Sequence, residues 1–264
     1  MFLNEIIKLK KKRLEKAKAE RDFEELKRSA FARRKNSAKH RLRTALQKNQ
    51  INIIAEIKRA SPSKGVINDK IDVTEVALNY EKGGATAISV LTEEDKFQGS
   101  LEDLKAARNA VEIPILRKDF IFDEFQVYEA ADAGADVILL IAAMLNDEDL
   151  ANLHRLAEQE LGLDTLVEVH TSEELERVKK INPKIVGVNN RDLQSFEVSL
   201  DISRELIKRA PENALMIAES GLQTREDIFE LREIGFSGFL IGETLMRSGN
   251  VEEEIRRLAG NKHE

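Results

Sequence analysis

Glu56 and Lys58 stand two residues apart at the end of an apolar run, in INIIAEIKRASPSKG. On a strand, residues i and i+2 share a face, so the carboxylate and the amine point one way while Ile57 points the other. Such a pair either closes a sheet margin as a salt bridge or works as acid and base. Four later apolar runs end in the same manner. ILRKDF delivers Lys118, LVEVH delivers Glu168, GVNNRD delivers Asn189 and then Arg191, and IAESG delivers Glu219 and Ser220. Singly, each reads as an ordinary strand cap. Gathered in one place, these amines, carboxylates, amide and guanidinium would make a pocket for proton transfer on an anionic substrate.

Gathering them requires a fold in which strand ends converge. From residue 51 onward, eight short β-branched runs alternate with amphipathic stretches: INIIAEI (51–57), TAISVL (86–91), IPILRK (113–118), ADVILLIA (135–142), DTLVEV (164–169), KIVGVN (184–189), ALMIAES (214–220) and GFLIG (238–242). Acidic or hydroxyl residues open several of the intervening stretches and glycine closes several, as helix caps should. Apolar strands separated by helices imply a parallel sheet buried on both faces. Eight such units fit a closed (β/α)8 TIM barrel, an α/β fold whose active site lies at the C-terminal strand ends. The dinucleotide fingerprint GxGxxG and the Walker loop of open doubly wound sheets are absent. Residues 1–264 are therefore expected to form a single barrel domain, of which 1–50 is an N-terminal helical extension. The extension reads as one or two helices, with Ile6, Ile7, Leu14, Phe23 and Leu26 as inner positions.

The loops after the seventh and eighth strands are the common phosphate cradle of such barrels. Here they are ESGL (219–222) and IGETLM (241–246), in which Gly221 and Gly242 permit close backbone approach. The SPSKG loop after the first strand adds hydroxyls and a lysine. Either glycine, taken alone, is equally a plain turn residue.

Charge is unevenly spread. The first fifty residues carry 17 lysines and arginines against 6 acids, while the whole chain has a net charge of −6. A basic arm on an acidic body can bind nucleic acid, or it can pack against that body and lend positive potential to an anionic substrate. No stacking platform or nucleic-acid motif accompanies it, so a small-molecule substrate is expected and no nucleic-acid partner. The chain has no cysteine and only four histidines, His40, His154, His170 and His263, without paired ligand spacing. No metal is expected. His170 shares strand parity with Glu168, and a structural hydrogen bond is its expected use. No segment approaches the roughly 20 apolar residues of a membrane span, and the N-terminus lacks an apolar signal region, so a cytoplasmic, membrane-free protein is expected. No exposed apolar seam stands out, which points to a monomer.

IIAEIKRASPSKG, SVLTEEDKFQGS, ILRKDFIFDEFQVYEA, LVEVH, VGVNNRDLQSFEV, IAESGL and FLIGETLM together resemble the indole-3-glycerol phosphate synthase family of tryptophan biosynthesis. The likeness runs in order and with fitting spacing from about residue 50 to 248. It implies 1-(2-carboxyphenylamino)-1-deoxyribulose 5-phosphate as substrate, and ring closure, decarboxylation and dehydration without a cofactor. Carried over residue by residue, it makes Lys118 the general acid and Glu168 the general base of the later steps. Glu56, Lys58, Asn189 and Glu219 match the remaining polar positions. Arg191, Ser220, Gly221, Gly242 and Glu243 fall where the family binds substrate or its phosphate. Phe97, Phe120, Leu139 and Leu193 correspond to the apolar wall around the anthranilate ring. Ser61 and Lys64 lie in the substrate-covering loop. Glu243 stands where some members carry a small hydroxyl residue, so its side chain is expected to turn away from the phosphate while its N–H donates. The rival enzyme readings are a phosphosugar isomerase and a Schiff-base aldolase. The surplus of carboxylates argues against the aldolase, which needs a neutral amine.

Overall fold

The structure, a computed structural model, describes residues 2–68, 70–192 and 195–260. Eight parallel strands close into a barrel: β1 (Ile53–Ile57), β2 (Ala87–Leu91), β3 (Ile115–Lys118), β4 (Val137–Ile141), β5 (Asp164–Val169), β6 (Ile185–Asn189), β7 (Leu215–Glu219) and β8 (Gly238–Ile241). Each pairs with its sequence neighbours, and β1 closes the ring on β8 through Ile53 opposite Phe239. The strands are shorter than their apolar runs by a residue or two at several ends. Pro114, for example, precedes β3 instead of lying within it.

Alternation along the strands sorts the side chains into two cores. Inside the barrel lie Ile54, Leu116, Leu139, Leu166, Ile217 and Leu240, while Ile57, Ile88, Val90, Val167 and Val188 face the helices. The inward positions near the C-terminal ends of β1, β3, β5, β6 and β7 are where the polar residues appear.

The connecting helices are α4 (Val73–Gly83), α5 (Leu101–Ala110), α6 (Glu124–Ala133), α7 (Asp147–Arg155), α8 (Ser172–Val178), α9 (Asp201–Leu206) and α10 (Arg225–Glu233). After β8 come α11 (Glu243–Arg247), which the sequence pattern does not reveal, and α12 (Val251–Ala259). Their starts follow capping chemistry. Asp72 accepts from Thr74 and Glu75 N–H, and Thr224 with Asp227 forms a reciprocal capping box on α10. Between β1 and α4, Ala60–Ser61 and Gly65–Val66 pair as a short antiparallel ribbon.

The extension forms three helices, not one or two: α1 (Phe2–Glu20), α2 (Phe23–Lys35) and α3 (Arg41–Leu46). Ile6, Leu14 and Leu26 are buried as expected, whereas Ile7 and Phe23 are only partly covered. Its basic residues meet acids of the barrel's helices, loops and the start of β5. Arg13 pairs with Asp95, Lys18 with Asp123, Arg21 with Asp132, Arg41 with Asp136 and Arg43 with Asp164. Lys10 is the deepest of them, only 5% exposed. No helix among the described residues is long and apolar enough to cross a membrane.

Candidate active site

The C-terminal strand ends surround one cavity of about 1130 Å³. It is lined by Glu56, Lys118, Glu168, Asn189 and Glu219 from the strands, and by Lys58, Ser61, Lys64, Arg191, Ser220, Gly221, Gly242 and Glu243 from the segments that follow them. Phe97, Phe120 and Leu139 supply an apolar wall, the two rings 6.3 Å apart at 42°. Leu193 lies outside the described residues. Phe196 and Val198, from the same loop, line the cavity without any signal in the sequence.

Lys118 occupies the floor. Its Nζ lies 3.0 Å from Oε2 of Glu219 and 3.3 Å from Oε2 of Glu168. Burial disfavours the ammonium, but the carboxylates of Glu219, Glu168 and Glu56 outweigh burial and hold its pKa above the ordinary lysine value. The two carboxylates divide in character. Burial, reinforced by Glu168 and Glu56 and only partly offset by Lys118, pushes Glu219 up to about 7. Burial acts on Glu168 too. There, however, Lys118, His170 and a hydrogen bond from Asn189 prevail, so Glu168 sits below its usual range. One buried carboxyl is thus readily protonated and the other stays ionised, an arrangement in which acid and base roles are set by surroundings.

Glu56 and Lys58 form the pair read from the sequence, Nζ to Oε1 2.6 Å, although β1 has already ended at Ile57. A Cβ at Gly242 would collide with Oε1 of Glu56 and come within 2.9 Å of Lys58 Nζ, so this glycine makes room for the pair. Ser220 holds a left-handed backbone at φ 65°, an uncommon state for a residue with a Cβ and a local strain. Asn190 braces that turn. Its side-chain N–H groups donate to the carbonyls of Glu219 and Ser220, and its Oδ1 accepts from Ser203. The strand pattern marks Asn189 and Arg191 but not the residue between them, whose outward parity gives no signal.

Glu243 does not project freely toward a phosphate. Its Oε1 lies 3.6 Å from Lys64 Nζ and 3.2 Å from Arg247 Nε, linking the loop after β1 to α11 at the cavity mouth. Arg191 points its Nη1 at the carbonyl of Phe196 and so stiffens its own loop. His170 does not line the cavity. Its backbone N–H, not its ring, makes the structural hydrogen bond, to Glu174, and ring Nε2 makes none among the described residues.

Behind Lys118 runs a buried charge network that the sequence does not disclose. Arg117 and Asp119 flank it with opposite parity. Asp119 accepts from Lys10 (2.8 Å), Thr92 (2.6 Å) and Arg117 (3.1 Å) through Oδ2, while Oδ1 takes the N–H of Phe120. Burial opposes the Asp119 carboxylate, but Lys10 and Arg117 hold its pKa down at about 2. Among the described residues, the acids close enough to share a cation are Glu93, Glu94 and Asp95. Glu93 already accepts the N–H groups of Asp95, Lys96 and Phe97, and the other two face Lys10 and Arg13. That cluster is occupied by the protein's own donors.

A closed eight-stranded barrel with an acid–base cluster and polar loops at its C-terminal mouth has the arrangement of a TIM-barrel enzyme site. The solved structure of thiamine phosphate pyrophosphorylase from Pyrococcus furiosus shares this fold, with a TM-score of 0.61 at 18% identity, over 82% of this chain and 95% of that one. Closer kinship is plain in sequence. The family model for indole-3-glycerol phosphate synthase matches residues 3–258, and the chain belongs to that family. The protein of that name from Endomicrobium trichonymphae is 44% identical over 98% of this chain and 99% of its own length. Its namesake from Koribacter versatilis is 47% identical over 86% of this chain and 89% of its own length.

Proposed function

We propose that this chain converts 1-(2-carboxyphenylamino)-1-deoxyribulose 5-phosphate to indole-3-glycerol phosphate, with Lys118 as the proton donor of the ring closure. The observation that carries the reading is the partly buried Lys118 ammonium held between the buried carboxylates of Glu219 and Glu168 on the cavity floor. An ammonium kept charged by neighbouring carboxylates can give a proton to the C2 carbonyl oxygen as the carboxylate-bearing aromatic carbon attacks. Loss of carbon dioxide then restores the aromatic ring. Dehydration removes the new hydroxyl with a proton and forms the indole double bond. Glu168, kept ionised chiefly by Lys118, takes that proton, and Lys58, beside Glu56, is a further ammonium lining the cavity.

The phenyl wall of Phe97, Phe120 and Leu139 suits the anthranilate ring. The opposite rim, with Ser220, Gly221, Gly242 and Lys64, suits the phosphate. Raised basicity at Lys118 disfavours the neutral amine that a Schiff-base aldolase requires. Pairing of the extension's cations with barrel acids favours a small-molecule partner over nucleic acid and gives the arm a structural use. Incubation with the carboxyphenylamino substrate in the absence of added cofactor is expected to yield indole fluorescence and stoichiometric carbon dioxide. Absence of indole, with borohydride trapping of a phosphosugar on Lys118, would replace this reading with the aldolase.

A further inference from the structure

Gly187 sits in the middle of β6, between Glu168 of β5 and Ile217 of β7 in register. Its parity is that of Ile185 and Asn189, so its missing side chain would have pointed into the barrel. Inward barrel positions are normally filled by branched residues, and its neighbours Leu166 and Ile217 obey that rule. A glycine in a strand interior weakens the strand unless something must approach the backbone closely. Here that something is the Glu219 carboxyl. A Cβ on residue 187 would overlap Oε1 of Glu219 and lie 3.2 Å from both its Cδ and Leu166 Cδ1.

We infer that Gly187 is a positioning residue: the space beside its α-carbon seats Oε1 of Glu219 and thereby turns Oε2 onto Lys118. Oε1 has no hydrogen-bond partner among the described residues, so packing, not a donor, fixes its place. Oε2 is the atom that meets Lys118 Nζ at 3.0 Å. Glu219 is only 1% exposed, and Leu166 packs against the same spot. Gly242 beneath the Glu56–Lys58 pair repeats the device, so two carboxylates of the site each rest against a bare α-carbon.

The obstruction is the mobile end of a side chain, not backbone. Gly187→Ala should therefore fold and displace the carboxyl by on the order of 1 Å, to reach ordinary contact distance. Lys118 would keep Glu168 at 3.3 Å as a partner and remain charged, but would shift toward it. Gly187 does not line the cavity, so substrate contacts are left in place.

The inference rests on the assignment of Lys118 as proton donor, and the two fail differently. No indole from the unaltered enzyme defeats the assignment, whatever residue 187 does. With the unaltered enzyme active, Gly187→Ala is expected to lower kcat about 10²-fold with a much smaller change in KM. Adding Glu219→Asp, which withdraws the carboxyl by one methylene, should regain at least about tenfold over the single variant. A kcat within about threefold of the parent, or a double variant no better than Gly187→Ala, overturns the inference. Should Gly187→Ala fail to fold, a folded and active double variant supports the seat. Failure of both to fold overturns it, because Glu219 would then not be the obstruction.

Discussion

Lys118→Met deletes the central ammonium while keeping an unbranched chain of similar reach. In the native site that ammonium touches Glu219 and Glu168 at 3.0 and 3.3 Å, and Glu56 already has Lys58. The variant leaves two buried carboxyls facing each other without their shared cation. Such a pair cannot ionise fully, so Glu219, already pushed up to about 7, should rise further and hold its proton at neutral pH. Loss of the general acid is worth about 10²–10⁴ in kcat, or about 3–5 kcal/mol of barrier. The stability signature is separate. A carboxyl whose native pKa exceeds its unfolded value binds more protons folded than unfolded, so its share of stability is full at acid pH. It is lost as pH rises through the native pKa, by about 1.4 kcal/mol for each pH unit that separates the native and unfolded values. The melting deficit of the variant should accordingly be small near pH 5 and large near pH 8. Indole fluorescence kinetics and thermal melts at both pH values test the two halves. A kcat within about tenfold of the parent refutes the acid role, and an equal deficit at both pH values refutes the charge argument.

Glu168→Gln should keep the fold and lower kcat by at least about 10²-fold; unchanged turnover would remove its role as base. Lys10→Met uncovers the buried Asp119 carboxylate, which then leans on Arg117, Thr92 and the Phe120 N–H. A loss of about 3 kcal/mol is expected, several degrees in melting temperature for a chain of this size. Asp119 has a depressed pKa, so its stabilisation is complete above the unfolded value and lost as pH falls toward about 2. The urea midpoints of the two proteins should therefore converge at acid pH, and parallel midpoints from pH 3 to 7 would contradict the pairing. Glu243→Gln releases Lys64 and Arg247 at the mouth. For such exposed partners KM should fall about two- to fivefold, and a rise would show that the carboxylate helps to hold the phosphate side.

The strand-end chemistry is legible because a barrel strand has a period of two. Once the apolar runs are placed, Glu56, Lys118, Glu168, Asn189 and Glu219 have to face inward together, and they do. What stays hidden depends on partners far apart in the chain. Lys10 reads as one more solvated cation in a strongly basic helix, yet its acceptors Glu94 and Asp119 come 84 and 109 residues later. Arg34 is similar, buried against the carbonyls of Leu161 and Gly162. Asn190 and Gly187 are silent in the sequence for opposite reasons. The first points away from the cavity toward backbone, and the second acts through a volume it leaves to another side chain. Helix α11 is five residues long, too short to show a periodic pattern.

The extension also carries a consequence for the order of synthesis. Helices α1 to α3 emerge first, but the acids that neutralise them, from Glu94 to Asp164, belong to the middle of the chain. The 121 residues between Arg43 and Asp164 take roughly 6–24 s to translate at 5–20 residues per second. For that interval the nascent arm has an incomplete set of its final partners, and a ribosome-bound fragment ending before Glu94 should leave it open to trypsin.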